Sequence, residues 1–198
     1  QVGDMHLGMA HQRLSILDLS ARGIQPMDSA SGASRIIFNG EIYNYKQLAA
    51  EYQLGPLRTA TDTEVAIELI EKIGVEAASR AFNGMWALLV YNRIDGKIYI
   101  SRDRFGKKPL YYSSVDDGLI FASEMHSLLL HEKLSLKPDL TVAARYLSQS
   151  LMDIDDRSWI EGISSFPPAS TAAIDVAKPS DGLVNVRRFW APDFESNP

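Results

Sequence analysis

The sequence contains no cysteine among its 198 residues. It can therefore form neither a disulfide bond nor a metal site with cysteine ligands. Its four histidines, His6, His11, His126 and His131, show neither the HxH nor the HExxH spacing that is common in metal sites, so we predict no metal ligands. Cytosolic proteins need no cysteine, and its absence alone identifies no compartment.

Long apolar runs and clusters of basic residues are also missing. No stretch approaches the roughly 20 apolar residues that a membrane span requires, and residues 1–6 lack the basic start and apolar run of a secretion signal. The 20 Lys and Arg residues are outnumbered by 25 Asp and Glu, which gives a net charge of −5. Nucleic-acid binding depends on a concentrated basic face. We therefore predict a cytoplasmic protein that binds neither nucleic acid nor a membrane.

The residues that are present are typical of one globular domain. Hydrophobic residues make up 45% of the chain and charged residues 23%, and the length allows one substantial core. The composition becomes polar after Trp190. We therefore expect one domain over residues 1–190 and a linker over residues 191–198.

Local patterns predict both helices and strands. Thr61 and Glu64 match a capping box, apolar residues recur along Val65, Leu69 and Ile73, and Gly74 stands at a helix stop. The predicted helices are Tyr43–Tyr52, Thr61–Ile73, Met125–His131 and Thr141–Gln149. The predicted strands are Met9–Leu19, Arg35–Phe38, Met85–Tyr91, Lys97–Ser101, Leu110–Ser113, Leu119–Ala122, Ser170–Asp175 and Val184–Trp190. Because the strands cluster in hairpins, we predict an α+β fold with antiparallel sheets.

Five motifs occur in order along almost the whole chain. They are Ala10-His11-Gln12-Arg13-Leu14-Ser15-Ile16, Phe38-Asn39-Gly40-Glu41-Ile42-Tyr43-Asn44, Thr61-Asp62-Thr63-Glu64, the segment Ser101–Tyr112, and Phe121-Ala122-Ser123-Glu124-Met125. Together they resemble the glutamine-hydrolysing domain of asparagine synthetases and related class II amidotransferases. The resemblance implies the four-layer αββα sandwich of the N-terminal nucleophile hydrolases, which period and element order alone do not predict.

The resemblance also implies a glutamine pocket. Asn39 and Gly40 would form the oxyanion hole, through a side-chain amide and a backbone N–H. The α-ammonium group of glutamine would be bound by Glu41 and Asp62. Its α-carboxylate would be bound by Arg13, while the backbone of Leu14, Ser15, Ile16 and Leu17 would line the site.

Each of these residues also has an ordinary structural interpretation. Asn39-Gly40 could be a tight turn, and Arg13 could form a surface ion pair. Glu41 could face solvent, and Asp62 could be a charge at a helix start. The Ser101–Tyr112 segment is expected to be structural and to face a partner domain.

The resemblance departs from the family at the nucleophile. The family attacks glutamine with an N-terminal cysteine whose own α-amine acts as the base, and neither group is in this chain. We therefore expect a glutaminase domain that is incomplete at its N-terminus and inactive alone.

No cofactor is expected in this domain. The resemblance implies a C-terminal synthetase domain of the same polypeptide that uses ATP and Mg²⁺, and a homodimer is possible. The alternatives are a non-catalytic scaffold, as in β-lactam synthetase-like relatives, and an unrelated α+β binding module.

Overall fold

The computed structural model describes residues 6–12, 21–116, 118–152 and 154–193. The chain forms two compact units. Residues 109–167 make one, called the inserted unit here, and the chain before and after them makes the other, the large unit. The large unit contains β1 (Met27–Asp28), β2 (Ser34–Ile42), α1 (Tyr45–Glu51), α2 (Asp62–Ile73), α3 (Val75–Ala81), β3 (Gly84–Asn92), β4 (Lys97–Arg102), β8 (Ser170–Asp175) and β9 (Val184–Arg188). The inserted unit contains β5 (Tyr111–Val115), β6 (Gly118–Ala122), α4 (Met125–Leu128), α5 (Leu140–Gln149) and β7 (Ser164–Ser165).

The large unit is built on a six-stranded antiparallel sheet in the order β1-β2-β3-β4-β8-β9. β2 alternates between buried and half-buried residues, so that Phe38 and Ile42 join Val65 and Leu69 of α2 in one apolar core. Trp86 of β3 lies within this core, with no exposed surface. Its ring stacks on that of Phe189, the two centroids being 6.1 Å apart. The continuous apolar run of β3 is explained by this burial.

Helix α2 begins as the sequence predicts, but its cap uses only half of the capping box. The Thr61 side chain accepts a hydrogen bond from the Glu64 N–H at 3.3 Å. The Glu64 carboxylate instead accepts from the N–H groups of Arg58 and Thr59, at 2.9 and 2.7 Å, and from the Thr59 hydroxyl. Burial alone would raise the pKa of Glu64, but the hydrogen bonds from Arg58 and Thr59 outweigh it and lower that pKa. Glu64 thus fixes the chain that leads into α2.

Helix α3 was not predicted. Gly74, with φ of +84°, ends α2 and also stands at the start of α3. A positive φ is easily adopted by glycine and lets the chain change direction without extra residues. The helix stop read from the sequence was therefore real, and a second helix follows it at once.

The inserted unit has its own three-stranded antiparallel sheet, in the order β6-β5-β7. The predicted hairpin of β5 and β6 is confirmed, and β7 pairs with the opposite side of β5. Helix α5 begins after Asp139, whose carboxylate accepts from the N–H groups of Thr141 and Val142 at 2.9 and 3.1 Å. The α+β class with antiparallel sheets is confirmed, while a single domain over residues 1–190 stays a prediction.

Three predicted elements differ most from the structure, while the bounds of the other predicted elements lie within two residues of the observed ones. Residues 9–12 form no strand, and residues 13–19 of the predicted Met9–Leu19 strand lie outside the described residues. Helix α4 ends at Leu128 rather than His131. The third error concerns β2, which continues through Asn39 and Gly40 to Ile42, where Asn39 pairs with Ala87 and Gly40 with Trp86.

Close contact between two strands explains why glycine is required at position 40. A Cβ atom there would lie 2.2 Å from the carbonyl oxygen of Met85 and 2.7 Å from Cα of Trp86. The same holds two pairs further along, where a Cβ on Gly84 would lie 2.1 Å from the carbonyl oxygen of Glu41. Asn39-Gly40 is therefore not a turn, and its glycine allows β2 and β3 to approach each other.

The Arg102-Asp103 motif at the end of β4 has a structural role, centred on the buried Asp103. Its carboxylate accepts four backbone N–H groups, from Phe105, Lys107, Lys108 and Trp86, at 2.9 to 3.2 Å. The neighbouring Arg102 donates to the carbonyl oxygens of Lys108 and Gly106, at 2.7 and 3.0 Å. These bonds close the loop that follows β4 and attach it to β3.

Candidate functional site

The candidate site is built on one edge of β2. Residues of an antiparallel strand direct their backbone N–H and C=O groups alternately to the two neighbours. On β2 the even-numbered residues face away from β3: the Phe38 N–H donates to the Gln25 side chain, and the Ile42 N–H donates to Asp62. The following odd-numbered residue, Tyr43, donates to the Asn83 carbonyl at the start of β3. The same alternation directs the Gly40 N–H to the outer edge, between Phe38 and Ile42.

Side chains rather than a neighbouring strand bind the two positions that flank Gly40. Oε1 of Gln25 accepts from the Phe38 N–H at 2.6 Å, and Oδ2 of Asp62 accepts from the Ile42 N–H at 2.9 Å. A strand rises about 3.4 Å per residue, so the Gly40 N–H lies roughly 7 Å from each of these N–H groups along the edge. β1 ends its pairing with β2 at Ile36. The outer edge of β2 therefore presents the Gly40 N–H as a donor, between two positions of the strand that are held by side-chain hydrogen bonds.

Asn39 and Glu41 flank Gly40 in sequence and are both half-buried. They alternate with Phe38 and Ile42, so their side chains leave the strand on the face opposite the core packed by α2. Asn39 carries a side-chain amide that can donate, and Glu41 carries a carboxylate. The structure thus brings three predicted site residues, Asn39, Gly40 and Glu41, together on one short stretch of strand.

Asp62 is joined to this stretch by its hydrogen bond to Ile42. It is the first residue of α2 and is 6% exposed. Burial raises the pKa of Asp62, and the charge of Glu41 acts in the same direction, while N–H donors that include Ile42 act against it. The carboxylate attaches the start of α2 to the end of β2, which leaves the predicted helix-start role and the predicted binding role compatible.

The other predicted pocket residues cannot be placed. Arg13, Leu14, Ser15, Ile16 and Leu17 lie outside the described residues. The part of their motif that is described includes His11, whose Nε2 lies 3.1 Å from the Phe38 carbonyl oxygen. Since a carbonyl only accepts, Nε2 carries the proton in this contact. The first motif therefore reaches β2 next to Asn39.

Gln25 is a residue of this edge that the sequence analysis missed. Its side chain is buried, and besides accepting from Phe38 it donates through Nε2 to the Phe38 carbonyl at 3.1 Å and to Oγ1 of Thr63 at 3.4 Å. No periodicity or capping pattern marks a single glutamine before a two-residue strand. Only the fold shows that it faces β2.

The chemistry available at this edge is that of hydrogen-bond donors beside carboxylates. Asn39 and Gly40 offer donors of the type that stabilise a developing oxyanion, and Glu41 and Asp62 offer negative charge to a cation. Within the part of the chain that the structure describes, no three His, Asp or Glu side chains are grouped to hold a metal ion. Among the same residues, no helix is long and apolar enough to cross a membrane.

The structure is thus an antiparallel α+β domain in which Asn39, Gly40 and Glu41 of β2 are grouped with Asp62 of α2. Comparison with known families is more specific: residues 2–190 match the glutamine amidotransferase domain. The chain belongs to this family.

Asparagine synthetases are among its relatives. Asparagine synthetase [glutamine-hydrolyzing] 1 of Bacillus subtilis is 40% identical over 195 residues, which cover 97% of this chain and 29% of that protein. A putative asparagine synthetase 2 of Methanocaldococcus jannaschii is 38% identical over 148 residues, covering 68% of this chain and 28% of that protein. The chain thus spans less than a third of the length of the curated relatives it matches.

A solved structure has the same fold. Glutamine phosphoribosylpyrophosphate amidotransferase from B. subtilis, complexed with ADP and GMP, superposes with a TM-score of 0.60 at 19% identity, covering 92% of this chain and 34% of that chain. The predicted α+β fold with antiparallel sheets is confirmed. So is the predicted family: the chain is a glutamine amidotransferase domain similar to those of asparagine synthetases.

Proposed function

We propose that this chain is the glutaminase domain of an asparagine-synthetase-like amidotransferase. In that reaction glutamine and water give glutamate and ammonia, and the ammonia is used for ATP-dependent amide formation in a synthetase domain of the same polypeptide. The observation that carries the proposal is the Gly40 N–H, which is directed to a strand edge between two fixed points and lies next to Asn39 and Glu41. Family membership supports it.

The donors at this edge suit the transition state better than the substrate. Attack on the side-chain amide of glutamine turns its carbonyl oxygen into an oxyanion, which the Gly40 N–H and the Asn39 amide would stabilise. Removing one such donor costs about 3 to 4 kcal/mol in other enzymes. Because β2 is held on both sides of Gly40, this donor needs no rearrangement when the charge develops.

The head group of glutamine requires opposite charges. Glu41 and Asp62 would bind the α-ammonium, and Arg13 the α-carboxylate, with the backbone of Leu14 to Leu17 beside it. A bound ammonium would offset the burial that raises the pKa of Asp62 and would favour its ionised form. The buried carboxylate would then bind the ligand in addition to its structural contact with the Ile42 N–H.

The chain supplies neither the thiol nor the terminal amine on which the family's reaction depends, because it has no cysteine. We therefore expect no turnover from this chain alone. In the whole protein an N-terminal cysteine would be the nucleophile, and ATP and Mg²⁺ would be bound by the synthetase domain. Cytoplasmic location and a homodimer belong to the same proposal.

A non-catalytic scaffold is the second candidate. It is favoured by Asp62, whose carboxylate already has a structural partner in Ile42. Glutamine binding separates the two candidates, because a scaffold has no need of the head-group charges.

The experiment combines turnover and binding. Glutamate formation from glutamine is measured with the purified chain, and glutamine binding is measured by calorimetry for the wild type, Asp62→Ala and the control Asp28→Asn, which changes a carboxylate on β1 of the same unit. We expect no turnover and weak binding that Asp62→Ala reduces by about 1.5 to 3 kcal/mol, the value of a charge-assisted hydrogen bond. The control should bind like the wild type.

Three results would contradict the proposal. Turnover that Asn39→Ala abolishes would reveal a nucleophile within this chain. Equal affinity in the wild type and Asp62→Ala would remove Asp62 from the site. If the whole protein shows neither glutamine binding nor glutaminase activity, the scaffold is correct.

A further inference from the structure

We propose that Gln25 is a positioning residue for the oxyanion hole. Its side chain makes the hydrogen bonds to Phe38 that the backbone of a neighbouring strand would otherwise make at this edge of β2. The inference rests on the proposed glutaminase function and extends it to a residue outside the glutamine pocket. Its side chain fixes the peptide groups on one side of Asn39 and Gly40.

The pairing of β1 and β2 stops short of Gly40. Met27 pairs with Ile36 and Asp28 with Arg35, so the same antiparallel register continued by two residues would place residue 25 opposite Phe38. At that point the side chain, not the backbone, makes the contact. Oε1 of Gln25 accepts from the Phe38 N–H at 2.6 Å, and Nε2 donates to the Phe38 carbonyl at 3.1 Å.

A primary amide can make this pair of bonds because it carries the same donor and acceptor as a peptide group. The two bonds to Phe38 reproduce the closed pair that opposite residues of an antiparallel ladder exchange. The side chain of Gln25 thus extends the edge of the sheet by one residue pair. A leucine or methionine would fit the space but could not make either bond.

The amide is itself held in place. Its Nε2 lies 3.4 Å from Oγ1 of Thr63, in the first turn of α2, and the residue is 8% exposed. Asp62, the neighbour of Thr63, binds the Ile42 N–H on the other side of Gly40. The first turn of α2 therefore supports both contacts that flank Gly40.

The consequence for catalysis is orientation. The carbonyl of the peptide group between Phe38 and Asn39 accepts from Gln25 and from Nε2 of His11, and the next peptide group carries the Gly40 N–H. Without Gln25 the Phe38 N–H loses its acceptor and only His11 binds the Phe38 carbonyl, so we expect β2 to twist at this point and to tilt the Gly40 N–H and the Asn39 side chain together. A group that acts only on the oxyanion affects the transition state rather than substrate binding.

Two substitutions of Gln25 test its positioning role, one by removing both hydrogen bonds to Phe38 and the other by removing only one. Gln25→Met removes both bonds and keeps the length of the side chain. Gln25→Glu keeps an acceptor for the Phe38 N–H and loses the donor to the Phe38 carbonyl. The matched controls are Gln47→Met and Gln47→Glu, which make the same changes at an exposed position of α1.

The first measurement follows the amide groups of the chain by nuclear magnetic resonance and hydrogen exchange. We expect exchange at Phe38 to be at least tenfold faster in Gln25→Met, with the Gly40 amide resonance displaced. In Gln25→Glu, exchange at Phe38 should stay near the wild-type rate while Gly40 is still displaced. The Gln47 variants should match the wild type at both residues.

The second measurement uses the whole natural protein and its glutaminase kinetics. We expect Gln25→Met to lower kcat roughly 10- to 100-fold, with KM for glutamine changed less than about threefold, and Gln25→Glu to lie between it and the wild type. A purely structural role would instead reduce the amount of folded enzyme and leave kcat per folded molecule unchanged. If Gln25→Met does not fold, Gln25→Glu carries the test, because it keeps the stronger bond to Phe38.

The outcomes distinguish this inference from the proposed function. An unmoved Gly40 resonance in both Gln25 variants, or unchanged kcat despite a displaced Gly40, overturns the positioning role. A whole protein that never hydrolyses glutamine overturns the proposed function, and the catalytic part of this inference with it. The amide measurements would still decide whether Gln25 orients Gly40.

Discussion

Substituting alanine for Gly40 should destabilise the large unit strongly, even though the change adds a single methyl group. The added Cβ would lie 2.2 Å from the Met85 carbonyl oxygen and 2.7 Å from Cα of Trp86. Both atoms belong to the backbone, so no side-chain rotation relieves the contact. Overpacking typically costs 1 to 3 kcal/mol, and we expect about 3 kcal/mol here because β2 and β3 must separate.

Urea unfolding followed by tryptophan fluorescence measures this loss, since Trp86 lies at the contact itself. For a chain of this size, 3 kcal/mol corresponds to a fall in Tm of roughly 6 to 12 °C. The matched control is Gly118→Ala in β6 of the inserted unit, where the nearest atom to a new Cβ is the Val115 carbonyl oxygen at 3.7 Å, an ordinary contact. A Gly40→Ala protein within 0.5 kcal/mol of the wild type would refute the close approach of β2 and β3 and restore the interpretation of Asn39-Gly40 as a turn.

Substitutions at three further positions test individual contacts. Asp103→Ala leaves four backbone N–H groups without their acceptor and should cost about 3 to 5 kcal/mol in thermal unfolding, with Asp103→Asn costing less; a loss below 1 kcal/mol would contradict the role given to this carboxylate. Asp28, bound by Arg35 and Arg93, has a pKa lowered to about 2 from 3.8. Because these side chains are 37 to 43% exposed, solvent screening reduces the contribution of the ion pairs to the free energy of unfolding to roughly 1 kcal/mol. Since a lowered pKa stabilises only the ionised form, the difference between wild type and Asp28→Asn should be full above pH 4 and vanish as the pH falls towards 2, and a difference independent of pH would rule out the ion pairs as its cause. Thr61→Ala removes the cap of α2 and should cost about 1 kcal/mol in urea unfolding, whereas an unchanged midpoint would show that Glu64 alone holds the helix start.

Most of the fold was predictable because its elements are specified by neighbouring residues. Thr61 and Gly74 mark the two ends of α2, and the apolar run from Met85 to Tyr91 could only be buried. The ordered motifs predicted the family, which the comparisons confirm. These signals are local or depend on order along the chain, and both can be read without coordinates.

The errors occurred where a distant contact decides between two local possibilities. Asn-Gly favours a turn by local preference, and its place in a strand depends on Met85 and Trp86, which approach Gly40 from β3. Gln25 gives no local signal, because its function as a substitute strand residue exists only when Phe38 lies opposite. The roles of Asn39, Gly40, Glu41 and Asp62 towards glutamine stay predictions that the binding experiment tests.

The position of the inserted unit in the chain affects the order in which the large unit can assemble. β4 and β8 are neighbours in one sheet, yet the whole of residues 109–167 is synthesised between them. During synthesis, one edge of β4 therefore stays unpaired until β8 has left the ribosome. The hydrogen bond from the Ala169 N–H to the Asp103 carbonyl, 2.8 Å long in the folded chain, also cannot form before then. Early folding of the inserted unit would shorten the effective distance between the two strands and lower the entropic cost of joining them. Slow synthesis or a weakened inserted unit would then prolong the exposure of that edge, which makes the yield of folded protein sensitive to substitutions within the inserted unit.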